Sequence, residues 1–124
     1  MNRDKFLQLL KVLLEGTREG KIKWHETVDE KAFRVAFGAG LVRIEDRSDP
    51  DSGIQYSVAF LQDKQGRTID ELSPAHPGAS QLLHSLYAEA RASAFAVDRV
   101  LDSILRDAEA GKTVEPPQDY LRRE

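Results

Sequence analysis

The side chains that could do chemistry here are few and scattered. The chain has three histidines, His25, His76 and His84, and no cysteine. Metal-binding histidines on one helix face sit at i, i+4. His76 and His84 are two turns apart, roughly 12 Å along a helix axis, too far to share an ion held at about 2 Å. They read as surface or capping residues. Asp46, Asp49 and Asp51 cluster in EDRSDPDSG. A calcium loop ends on Glu at its twelfth position, and counting from Asp49 that position is Phe60, so the cluster reads as a hairpin turn.

Nucleophilic and phosphate chemistry are no better represented. There is no G-x-S-x-G, and Ser80, Ser85 and Ser93 fall on the surface of a helical pattern. No G-x-x-x-x-G-K-[ST] occurs, and Gly38-Ala39-Gly40 has no helix after it, so it is a turn. Glu26, Asp29 and Glu30 could be paired as acid and base, but a charged loop yields such pairs by chance. The sequence leans away from an enzyme, and no catalytic residue, metal or cofactor is assigned.

The elements are clearer than the chemistry. The longest pattern runs from Gly78 to Ala110 with no internal Pro or Gly. Leu83, Tyr87, Ala90, Ala94, Val97, Leu101, Ile104 and Ala108 follow one another at steps of four and three, which keeps them on one helix face. A straight helix of that length would be roughly 50 Å long. No face of a domain this size is that long, so part of it must kink, overhang or meet another chain. Its middle is rich in alanine, and its last third carries the bulkier Val97, Val100, Leu101, Ile104 and Leu105.

A first helix spans residues 3–15, with Phe6, Leu9, Leu10, Leu13 and Leu14 on one stripe and glycines 16 and 20 as stop signals. Three runs of period two follow: Phe33-Val35-Phe37, Val42-Ile44 and Ile54-Tyr56-Val58-Phe60, with a weaker fourth at residues 67–72. Their connections carry Gly, Asp and Pro turn chemistry and are short, which joins antiparallel neighbours. A short extra strand is possible near Ile22–Trp24.

The expected fold is therefore α+β: an N-terminal helix, a four-stranded antiparallel meander and a long C-terminal helix, with both helices on one sheet face. Residues 1–111 form a single domain and 112–124 a loose tail with Pro116-Pro117. Phe33, Val35, Ile44, Tyr56, Val58 and Leu86 should be buried. Arg34, Arg43 and Gln55 should be exposed on the far sheet face, which meets water as antiparallel sheets commonly do.

Charge bounds the function. Of 124 residues, 18 are Lys or Arg and 21 Asp or Glu, a net charge of −3. That balance gives no footprint for nucleic acid or an anionic membrane. The apolar stretch near the N-terminus is interrupted by Gln8 and Lys11, too short and charged for a membrane span, and a cytoplasmic location is expected. The strongest signal is the apolar helix stripe. It points to a non-catalytic interaction or regulatory module, forming a homodimer or holding a protein partner through Val97, Leu101, Ile104 and Leu105. One alternative is a small enzyme or ligand-binding domain with a pocket near Trp24, His25 and Tyr56. Another is a nucleic-acid binder using Arg34 and Arg43 on the open sheet face.

Overall fold

A computed structural model describes residues 3–116. The chain runs α1 (Arg3–Arg18), β1 (His25–Glu26), β2 (Ala32–Phe37), β3 (Gly40–Ser48), β4 (Gln55–Asp63), β5 (Thr68–Leu72), α2 (Ser80–Ala94) and α3 (Val97–Glu109). The class is α+β, with one antiparallel sheet in the order β1-β2-β3-β4-β5. The meander expected from the short loops is present, but it has five strands rather than four. The extra strand is His25–Glu26, just after the expected Ile22–Trp24, because Trp24 is drawn into the core. Of the expected tail, residues 117–124, including Pro117, lie outside the described residues; 112–116 have no regular secondary structure.

Turn chemistry sets the hairpins as anticipated. Gly53 adopts φ +73, and its N–H donates to the Asp49 carbonyl at 2.8 Å, while the Asp49 carboxylate accepts from the Asp51 N–H at 2.9 Å. The aspartates of EDRSDPDSG therefore include one that shapes the turn. At Gly40 a Cβ would come within 2.3 Å of the Gln62 carbonyl oxygen, so only glycine fits where β3 opens against β4.

One face of the sheet packs α1 and α2. Phe6, Leu10 and Leu13 of α1 and Leu83, Leu86 and Ala90 of α2 join Phe33, Val35, Val42, Ile44, Ala59 and Leu72 in one buried cluster. Strand pairing places Phe33, Ile44, Ala59 and Leu72 in one row. On β4 the helix-facing residues are thus Ser57, Ala59 and Leu61. Tyr56 and Val58, expected in the core, and Phe60 of the same run face the other way. Val58 and Phe60 are nonetheless buried and Tyr56 half-buried. The reason for the one-residue shift is that both faces of β4 are apolar, so alternation alone does not orient it. The small Ala59 is what the close approach of α2 requires. Arg34 and Arg43 do lie on the open face. Gln55 is exposed but on the helix-side parity, and Ile54, before β4, is 67% exposed.

The long C-terminal helix is two helices. α2 ends at Ala94, Phe95 caps it, and Ala96 turns into the left-handed region at φ 52, ψ 46. Phe95 lies edge-on to Phe33 at 5.4 Å between ring centres, with Arg91 stacked over it at 4.9 Å. The aromatic anchor holds the end of α2 on the sheet, and the chain then turns away. A left-handed alanine costs about 1–2 kcal/mol, which the ring contacts and burial at Phe95 offset.

The register makes a prediction. Ala59→Asp should cost at least about 3 kcal/mol, because a carboxylate would be buried unpaired among leucines. Tyr56→Asp, on the opposite face beside Arg47, should cost no more than about 2 kcal/mol. Urea denaturation compares them; equal or reversed costs would contradict the register.

Candidate functional site

Trp24, His25 and Tyr56 do not converge. Trp24 is 2% exposed and turned to the helices. Its indole N–H donates to Thr17 Oγ1 at 2.9 Å, and its backbone N–H donates to Ser93 Oγ at 2.9 Å. Thr17 Oγ1 in turn donates to the Leu13 carbonyl at 2.6 Å. The tryptophan fastens the end of α1, the loop after it and the end of α2 to one another. His25 is exposed on the edge strand opposite Arg34. Tyr56 lies on β4 opposite Arg47. β1 and β4 are three strand spacings apart, roughly 14 Å, so no pocket can be lined by all three side chains.

Among the described residues, open hollows lie at two other places. The first, about 320 Å³, lies where α1 ends beside the α2–α3 joint and is lined by Thr17, Arg18, Lys23, Glu89, Ser93 and Arg99 among others. Its charges are partly spent on one another, since Arg18 pairs with Glu89 at 3.4 Å. The second, about 360 Å³, is on the open sheet face between Glu26, Thr27, Val28, Arg34, Arg43 and Gln62. Arg43 there is held by Glu45 at 3.3 Å and Asp29 at 3.7 Å. Arg47 pairs with Glu45 at 2.9 Å and stacks over Phe60 at 5.1 Å. The Arg47 guanidinium thus covers part of the apolar floor of this face at Phe60.

Among the described residues three groups are pushed from their ordinary proton affinities, and none lines either hollow. The backbone N–H of Arg67, with its guanidinium and the Gln65 N–H, holds the Asp63 carboxyl low within the β4–β5 turn. Burial pushes the Tyr87 hydroxyl up. The hydrogen bond that it donates to the Glu45 carboxylate pushes the Arg47 guanidinium up. All three belong to packing and turn geometry. Among the described residues no group of three or more His, Asp or Glu is placed to hold a metal. His84 is exposed on α2, and His76 is in the turn before it.

The surface that stands out is α3. None of its residues is buried. Val100 is 49% exposed, Leu101 58%, Ile104 59% and Leu105 59%. With Val97 and Ala108 they follow the i, i+3, i+4, i+7 spacing of a single helix face. The same geometry puts Asp98, Asp102 and Glu109 along one border of that stripe and Asp107 along the other, with Arg99 and Arg106 at its back. The expected interface residues are therefore together and uncovered in the isolated chain, except Val97, which is half-buried at the joint. The acidic border was readable by placing the charges on the same helical projection as the apolar residues. The break at Ala96, which turns the stripe away from the core, left no signal of its own. No helix of the described residues is long and apolar enough to cross a membrane.

The tie around Trp24 is testable. Ser93→Ala leaves the buried Trp24 N–H without its acceptor and should destabilise the fold by roughly 1–3 kcal/mol. Guanidinium denaturation followed by the fluorescence of this single tryptophan would measure it, and a neutral substitution would contradict the assigned bond.

No family model, no curated protein and no solved structure matches this chain.

Proposed function

We propose that the chain is a non-catalytic protein-interaction module whose docking element is α3. The observation that carries this reading is the uncovered stripe of Val100, Leu101, Ile104 and Leu105, each about half or more exposed on a helix with no buried residue. Covering such side chains returns roughly 1 kcal/mol or more apiece. An amphipathic helix seated by i, i+3, i+4 and i+7 anchors is a common recognition mode. The α1–α2–sheet unit then serves as a rigid base, and the Trp24 tie and Phe95 anchor hold α2 up to the joint from which α3 projects. Self-association and capture of another protein are the two forms this docking can take, and a cytoplasmic setting suits a chain with no cysteine to oxidise.

The enzyme reading has less behind it. Trp24, His25 and Tyr56 are spread over both sheet faces and three strand spacings, and the two hollows are open, with ion pairs in or beside them. The nucleic-acid reading is also weakened, because Arg43 and Arg47 already hold Glu45.

Leu101→Glu with Ile104→Glu tests the reading. Both side chains face water in the isolated chain, so the melting temperature should stay within about 5 °C of the parent, because surface changes away from packed features usually cost within about 0.5 kcal/mol each. A fall of more than about 10 °C would mean that the stripe is packed against the chain's own core and that α3 is a structural element.

A further inference from the structure

The acidic border of the α3 stripe says what kind of surface can cover it. A second α3 is poorly suited. In an antiparallel pair each flank of a helix meets the same flank of its partner, so Asp98, Asp102 and Glu109 would face their own copies. In a parallel pair opposite flanks meet, which sets Asp98, Asp102 and Glu109 against Asp107. Either orientation places acid against acid across the rim, where like charges at close range are unfavourable and select against the wrong partner. Arg99 and Arg106 lie at the back of the helix and cannot reach across to compensate.

The open sheet face of another copy, with its arginines, is no better. Its floor residues Val58 and Phe60 are buried beneath the chain's own side chains, with Arg47 over the Phe60 ring. Arg43 and Arg47 are held by Glu45, and Arg43 also by Asp29. Seating α3 there would first require breaking those pairs.

We infer that α3 docks into an apolar groove rimmed by lysine or arginine on a different protein. The apolar anchors are Val100, Leu101, Ile104 and Leu105. Asp98, Asp102, Asp107 and Glu109 select the rim charge. This rests on the docking role of α3 proposed above and adds the chemistry of the partner.

The test uses the full chain and a synthetic helical hairpin with a leucine groove between lysine rims, beside a twin with glutamate rims. Calorimetry should give the lysine hairpin at least about a tenfold advantage that shrinks as salt rises. The variant Asp98→Lys, Asp102→Lys, Asp107→Lys, Glu109→Lys should reverse the preference; the milder set with Asn and Gln should abolish it, so the test survives if the lysine variant fails to fold. Leu101→Glu with Ile104→Glu should bind neither hairpin. Light scattering of the free chain at micromolar concentration should give a monomer near 13.9 kDa. A dimer lost on Leu101→Glu would overturn the partner assignment while leaving α3 as a docking element. Equal binding of both hairpins, binding of neither, or tighter binding to phosphatidylcholine vesicles would also overturn it. The melting temperature of the double glutamate variant separately decides whether the stripe is free of the chain's own core, as a docking role requires.

Discussion

The architecture depends on a mismatch of lengths. The longest strands, β3 and β4, span Gly40–Ser48 and Gln55–Asp63, about 30 Å at the rise of a strand. A straight helix from Ser80 to Glu109 would be about 45 Å long. The sheet cannot seat all of it, and α2 buries Leu83, Leu86 and Ala90 in the core. Phe95 closes that interface by meeting Phe33 edge-on. There the left-handed Ala96 turns the chain, and none of the residues of α3 is buried. The exposure of α3 follows from that turn.

The other face of the sheet follows from β4. This strand is apolar on both sides, with Ala59 beneath the helices and Val58 and Phe60 opposite. An uncovered apolar lane there would invite association. Arg47, its partner Glu45, and Arg43 beyond it lie across the lane and hold one another in place. The paired charges lie over this face, where Val58 and Phe60 are buried while the stripe of α3 is not.

Much of this was legible from residue order. The stripes of α1 and α2, the Asp- and Gly-marked turns and the antiparallel meander all follow from local rules of spacing and turn chemistry, and the structure has them. Trp24 could be assigned to the core from its size, but its hydrogen bonds to Thr17 and Ser93 depend on three elements meeting in space. The facing of β4 was not legible, because Ile54, Tyr56, Val58 and Phe60 alternate well and only the pairing of Ile44 with Ala59 shows which side meets α2. The break at Ala96 was hidden for a related reason. Leu83 to Ala108 keep a continuous helical period, and no Gly or Pro interrupts them. Tertiary packing at Phe95 overrides a locally consistent pattern. On the functional side, the candidate interface residues were legible as a stripe, and their acidic border as its flanks. The pocket at Trp24, His25 and Tyr56 was not a property of any single element, so sequence proximity and aromatic character were poor guides to it.

The central claim is that α3 is attached to the core only at the joint and presents its stripe to water until a partner covers it. A short helix without tertiary packing is marginal in water, and its amides open locally at low free energy. Amide hydrogen exchange of the isolated full chain measures this residue by residue. The account predicts strong protection for Leu83 to Ala90 of α2 and for the central strands, and weak protection from Val100 to Ala108. Protection in α3 as strong as in α2, in the isolated chain, would mean that the stripe is already covered and would contradict the account.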